Sequence, residues 1–557
     1  MLFDIPWIII LVQFIVILAL VLGLFAFFLI RSDGSQVAYS TRTYQNFELQ
    51  TISPRESPLT FRKLYKTTSE SSVVDFDFSE DHSGESNGIS TSQQSKPPVL
   101  VEEAIQSESI NSLEAPDHEE NLRAVVFTQS QQCSEIGKFV LVRGGNAVDA
   151  AISASFCLMG ALPNKASLAG GMIMIVRSKD GRNVTTIMAR ETAPLNTNVE
   201  ELKNNPGLAK VGSKAVGTPG VLNGLFRAFQ KFSSARIQWK HLVLPTIQHC
   251  IRGFELSDDL ITASTLPALS PFFQANQQND KLFCKSLAAT LTEIAEYENP
   301  LDAFYRGETA QKMVDELGGY LGVSDLEDYE SDVNTAICSG LDVETKVCGP
   351  GAPSLFAVLA NAYLATKNMS NLEKVNEKVT RSSIALAAKI ADPMFVKSST
   401  KYAQDLAQSA KPTSGEMKKV SVNFTESGST EVFVIDENNM TVSVILSLGD
   451  DFGNLNYSTS GFFWNNKMRY FDLDDENVAL AMQPGKVPTS IAAPIIVIKN
   501  DLVQAVSGGT DMLSLVHLLR DITHRNYDAS KVAPALFVQN SAIQLKSPSS
   551  KHSITGY

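Results

Sequence analysis

Apolar and polar positions divide the chain into three stretches. Trp7 to Ile30 is an apolar run broken only by Gln13 and Gly23. As a helix it would span about 36 Å, enough to cross a bilayer. It is too long for the core of a signal peptide, and no small-residue cleavage site follows. Residues 7–30 are thus expected as a membrane anchor. From Ser32 to about Glu120 the chain is polar and rich in Ser, Glu and Asp; Ser79 to Ser95 has hardly any apolar residue. Such sequence cannot bury enough surface to offset the entropy of ordering, so 31–120 reads as a disordered stalk.

The pattern changes at Leu122. Ala124 to Phe127 reads as a strand, and Ser134 to Val142 has helical spacing that stops at Gly144-Gly145. Ala147 to Leu162 is a helix of small apolar residues ended by Pro163. Met172 to Val176 is a buried strand, turned at Asp180-Gly181 into a second, Val184 to Met188. Strand pairs beside apolar helices point to sheets covered by helices.

Thr425 to Asp436 carries the chemistry. Gly428-Ser429-Thr430 stands directly before the apolar run Val432 to Ile435, a buried strand with a turn after it at Asp436 to Asn439. A hydroxyl residue at that place can attack the carbonyl of the glycine before it and cut the chain. Ser429 would then hold a nucleophilic hydroxyl and its own α-amine as general base. On these residues alone, an ordinary loop-to-strand junction is the alternative.

The 557 residues are 44% hydrophobic and 19% charged, enough for a large core. The net charge of -13 argues against a nucleic-acid partner. The six cysteines form no CxxC pair and no histidine spacing suggests zinc, so neither metal nor cofactor is expected. Cys157 sits in an apolar run and reads as core; Cys338 and Cys348 are candidates to pair outside the cytosol, which their spacing does not decide. Basic residues from Arg31 to Lys66 follow the apolar run, favouring a cytosolic C-terminal side. Against that, Asn183, Asn368, Asn423, Asn439 and Asn456 begin glycosylation sequons, which matter only in the lumen.

Several motifs resemble the γ-glutamyltransferases, or glutathione hydrolases. They include Gly144-Gly-Asn-Ala-Val-Asp-Ala-Ala151, Ala189-Arg-Glu-Thr-Ala-Pro194, Val216-Gly-Thr-Pro-Gly220 and Phe304-Tyr-Arg-Gly307. Trp464-Asn-Asn-Lys-Met468, Gln483-Pro-Gly-Lys486 and Ser507-Gly-Gly-Thr510 follow in family order. The resemblance implies an α/β N-terminal-nucleophile hydrolase fold, a four-layer αββα sandwich. It implies self-cleavage into a large subunit, 121–428, and a small one, 429–557. It also implies a plasma-membrane protein with residues 1–6 as a short cytoplasmic tail and an extracellular catalytic domain.

By this resemblance Ser429 stands at the family's threonine nucleophile and Thr430 at its neighbour. Arg190 and Ser490 would grip the substrate α-carboxylate, with Ser447 near the nucleophile and Gly508 and Gly509 forming the oxyanion hole. Other positions depart. Gly449, Lys467 and Tyr470 replace the residues that hold the substrate ammonium, Ile491 replaces a serine, and Asp451 stands at the lid tyrosine, where it would recover part of the ammonium contact. Losing three such hydrogen bonds costs on the order of 5 kcal/mol. The chain after Ala533 reads as short, with Ser547 to Tyr557 a polar tail. Two functions follow: hydrolysis or transfer of a γ-glutamyl amide such as glutathione, or a non-catalytic ectodomain. A variant of the first keeps the hydrolase and lets Lys467 select a ligand with an anion where glutathione has its ammonium.

Overall fold

A computed structural model describes residues 123–371, 373–379, 404–408, 426–473, 481–524, 533–539, 542–546 and 553–556. The expected membrane anchor, the stalk and Asn423 lie outside them. Among the described residues no helix is long and apolar enough to cross a membrane.

Thirteen strands form two antiparallel sheets. They are β1 (Val125–Thr128), β2 (Gly171–Arg177), β3 (Val184–Ala189), β4 (Asp332–Thr335), β5 (Ile337–Gly340), β6 (Thr345–Gly349) and β7 (Gly428–Ile435). The others are β8 (Thr441–Gly449), β9 (Ile495–Lys499), β10 (Leu502–Ser507), β11 (Ala535–Gln539), β12 (Ala542–Lys546) and β13 (Ser553–Gly556). The first sheet runs β13-β1-β7-β8-β2-β3-β4 and the second β12-β11-β10-β9-β6-β5. The helices that matter most are α1 (Gln131–Val142), α2 (Ala147–Ala161), α3 (Val221–Phe232), α4 (Trp239–Arg252), α5 (Lys285–Glu296), α6 (Phe356–Thr366) and α7 (Met512–His524).

Alternation of side chains along the strands builds the layers. One face of the first sheet (Val126, Met172, Met174, Val432, Val434) packs on α1 to α5. Its other face (Phe127, Ile173, Phe433, Ile445) meets Ile496, Ile498, Val506 and Leu536 of the second sheet. The outer face of the second sheet (Val347, Ile495, Val497, Ala505) packs on α6 and α7. The result is helix, sheet, sheet, helix, the αββα order expected from the resemblance.

The Gly144 to Ala151 motif proves to be architectural. Gly144 follows α1 with φ +89°, and Asn146 caps α2. Asn146 Oδ1 accepts from the amides of Val148 and Asp149, each at 3.0 Å. Asp149 returns a bond to the Asn146 amide at 3.0 Å. Three backbone donors are thereby satisfied at the helix start. The Ala147 amide donates to Asp436 Oδ2 at 3.0 Å, tying α2 to the β7–β8 turn.

Two expectations are corrected. The C-terminal region is not a polar tail: β11, β12 and β13 complete both sheets, and β13 pairs with β1. β13 is only four residues long, so its backbone bonding leaves too little apolar alternation to read. Cys157 is core, as expected, but is also bonded to Cys133; Cys250–Cys284 and Cys338–Cys348 are the other two disulfides.

Candidate active site

The site forms where both sheets present the same kind of edge: the starts of β7 and β9 and the ends of β3, β8 and β10. Ser429 is the second residue of β7 and sits across from Ser447 of β8. Strand register alone therefore sets these two hydroxyls side by side. Gly428 has no room for a side chain, because a Cβ there would collide with the Asp450 carbonyl. Ser429 Oγ is 2.9 Å from Thr510 Oγ1 and donates to the Glu426 carbonyl at 2.9 Å. Thr510 follows Gly508 and Gly509, so the second sheet brings that glycine turn to Ser429. Thr430 faces the other way: it is fully buried, and its hydroxyl has no hydrogen-bond partner among the described residues.

Behind Ser429 lies a buried cluster of charges. Glu426 Oε1 accepts from Ser490 Oγ at 2.7 Å. Its Oε2 accepts from Ser447 Oγ at 2.7 Å and from Lys467 Nζ at 2.6 Å. Arg190 Nη2 lies 3.4 Å from both oxygens. Arg190 Nε is 3.6 Å from Glu191 Oε2. All four charged side chains are at most 1% exposed. Burial would push the Glu426 carboxyl up, but Arg190 and Lys467 outweigh it and hold the group down at about 2. Burial raises the Glu191 carboxyl, with Arg190 opposing. Burial, then the neighbouring Arg190, lowers the Lys467 ammonium.

Of the residues expected in the site, Ser429, Ser447, Arg190, Ser490, Lys467 and Tyr470 come together. The Tyr470 ring centroid is 5.0 Å from Lys467 Nζ. Gly449 adopts φ +100°, and a side chain there would strike Asn466. Ile491 packs with the second sheet's outer core. Asp451 does not join the charges: it accepts from Asn164 Nδ2 at 3.1 Å. The acid beside Tyr470 is instead Asp450, 3.2 Å from its hydroxyl and also bound by Asn466 and Arg469. Asn183, Asn368, Asn439 and Asn456 are exposed.

Sequence reasoning missed Glu426, Glu191, Thr510 and Asn465. Glu191 and Thr510 lay inside motifs already singled out. Asn465, fully buried, accepts from the Gly217 amide at 2.8 Å and the Lys467 amide at 3.0 Å and donates to the Ala169 carbonyl at 2.7 Å. It thereby fixes the turn that delivers Lys467. Glu426 gave no signal beyond its nearness to Ser429. Among the described residues no group of acidic, histidine or cysteine side chains could hold a metal.

Two sheets between helices, with a hydroxyl residue opening a central strand beside a glycine turn, define an N-terminal-nucleophile hydrolase architecture. A cephalosporin acylase from Bacillus halodurans shares it, with a TM-score of 0.60 at 18% identity over 81% of this chain and 98% of that one. The family described as gamma-glutamyltranspeptidase matches residues 133–516, and the chain belongs to it. Relatives include glutathione hydrolase 2 of Arabidopsis thaliana, 28% identical over 74% of this chain and 80% of its own. The glutathione hydrolase proenzyme of Escherichia coli is 28% identical, over 71% of this chain and 77% of its own.

Proposed function

We propose that this chain is a self-processing amide hydrolase whose nucleophile is Ser429 and whose acyl substrate ends in a carboxylate, as in γ-glutamyl amides such as glutathione. The carrying observation is that Ser429 Oγ lies beside a buried carboxylate-holding set: Arg190, Ser447 and Ser490.

Processing begins with Ser429 Oγ adding to the Gly428 carbonyl carbon. The C–N bond breaks, giving an ester and a free α-amine. Water then hydrolyses the ester, leaving a Gly428 carboxylate and restoring the hydroxyl. In turnover the α-amine takes the Oγ proton as Oγ attacks the substrate carbonyl, and passes it to the leaving amine. The amides of Gly508 and Gly509 stabilise the oxyanion. Water, or an acceptor amine, then takes the acyl group.

The catalytic domain is assigned to the lumen or cell exterior, anchored through residues 7–30. Three disulfides and four exposed sequons support this, since thiols stay reduced in the cytosol.

Denaturing electrophoresis with N-terminal sequencing tests the proposal. A small fragment beginning at Ser429, together with hydrolysis of carboxylate-ending amides, supports it. A single intact chain leaves Ser429 without its amine and establishes the second reading, a non-catalytic ectodomain. What favours that second reading is Glu426, whose carboxylate fills the substrate-gripping set while the Gly428–Ser429 bond is whole.

A further inference from the structure

Glu426 shows what the site accepts. Its carbonyl oxygen receives hydrogen bonds from Ser429 Oγ at 2.9 Å and Thr510 Oγ1 at 3.0 Å. Its carboxylate, three carbons along, receives them from Ser490, Ser447 and Lys467. A carbonyl at the nucleophile and a carboxylate three carbons away is the skeleton of a five-carbon dicarboxylic acyl group. The protein's own chain displays that unit in place.

The charges around it are balanced only while a carboxylate is present. Arg190 and Lys467 face Glu426 and Glu191, all at most 1% exposed. If Glu426 withdraws after cleavage, two cations face one carboxylate, and the pocket demands an anion. Arg190 Nη1 has no hydrogen-bond partner among the described residues and is free to improve its grip.

An ammonium on the carbon next to that carboxylate is poorly received. Lys467 Nζ is already 2.6 Å from a carboxylate oxygen and 2.8 Å from Ser447 Oγ. Glu191 lies 3.6 Å from Arg190 Nε with its oxygens against Gly171, where they accept no hydrogen bond among the described residues. Asp450 is committed to Arg469, Asn466 and Tyr470.

We propose that the site prefers amides of a five-carbon dicarboxylic acid with no ammonium beside the free carboxylate, glutaryl rather than γ-glutamyl amides, and that Glu426 is a tethered occupant of that site in the uncleaved chain. This rests on the function proposed above and deepens it.

Turnover by the full-length processed protein is measured on glutaryl-, γ-glutamyl- and succinyl-p-nitroanilide. The expected kcat/KM for the glutaryl compound exceeds both others by tenfold or more, roughly the value of one charged hydrogen bond. Lys467→Glu should reverse the glutaryl to γ-glutamyl order; Lys467→Met, should that variant not fold, should erase it. Equal or better use of the γ-glutamyl compound by the unaltered protein overturns the proposal, as does an order unchanged in both variants.

Binding separates this idea from the catalytic one. The uncleavable double variant Glu426→Ala, Ser429→Ala is titrated calorimetrically with glutaryl- and γ-glutamyl-anilide. Tenfold tighter binding of the glutaryl anilide supports the proposal even if no substrate is turned over, a result that would sink the hydrolase reading alone. Equal affinities overturn the proposal, whatever the turnover.

Discussion

The two halves of the site differ in how much of the family's chemistry they keep. One half holds a carboxylate: Arg190, Ser447 and Ser490 converge on Glu426, and the glycine turn before Thr510 stands by Ser429. The other half, where the family resemblance places ammonium contacts, is Gly449, Lys467 and Tyr470. Here Lys467 turns inward and joins the same carboxylate as Arg190. The second half is thus reassigned rather than emptied. A position that would attract a cation now reinforces the grip on an anion, and Asn465 holds it there.

The sharpest break in this comparison is Ser429→Ala. Cleavage and turnover should both fall by roughly a thousandfold or more, as when a catalytic nucleophile is removed. Fragment formation that persists in this variant would move the nucleophile elsewhere.

Arg190→Ala tests the carboxylate half. It leaves Glu191 and Glu426 buried with Lys467 as their only cation among the described residues, and removing one partner of such a set costs about 3–5 kcal/mol. Denaturant unfolding of the uncleaved Ser429→Ala background reads this directly. A loss below about 1 kcal/mol would show that Lys467 alone suffices.

Two acids flanking Ser429 should titrate in opposite senses. Glu426 is held down at about 2, so its contribution is present above the ordinary carboxyl value of 4.5 and disappears as pH falls toward 2. Glu431, hydrogen-bonded to Gln129 at 3.0 Å, is pushed by burial up to about 7. Its protonated form is favoured on folding, so stability is lost as pH rises from 4.5 to 7. Each shift corresponds to about 3 kcal/mol. Glu431→Gln should flatten the loss between pH 4.5 and 7, and Glu426→Gln the loss below 4.5, both read as Tm against pH. Parallel Tm curves for Glu431→Gln and the unaltered chain between pH 4.5 and 7 would show that Glu431 is ionised there.

The smallest effect is expected from Thr510→Val. It removes the hydroxyl that lies 2.9 Å from Ser429 Oγ and donates to the Glu426 carbonyl at 3.0 Å, a neutral hydrogen bond worth about 1 kcal/mol, and should slow cleavage several-fold. A thousandfold loss would make Thr510 a proton-transfer partner instead of a positioning residue.

Much of this site could be read before the fold was known. Arg190 lies in a motif whose order along the chain matches the family, the resemblance places Ser429, Ser447 and Ser490 one by one, and β2, β3 and β7 follow from apolar runs bounded by turns. Glu426 could not be read, because an acid in a polar stretch looks solvated until serines from two sheets close on it. Asp451 was misplaced because adjacent acids at a strand end differ only in the direction the turn gives them, and that turn aims Asp450 at Tyr470. β13 escaped because a four-residue edge strand is held by backbone bonds that side-chain pattern does not record.

Local chemistry determined the elements and the glycine-to-strand junction at Gly428-Ser429, because strand periodicity and steric demand act over a few residues. Tertiary structure decided the rest. Pairing of β7 with β8 places Ser429 beside Ser447, and packing of the two sheets brings Ser490 and Thr510 from the far part of the chain. Burial then makes the sum of Arg190, Glu191, Glu426 and Lys467 matter, since charges removed from water must balance with whichever partners the fold supplies.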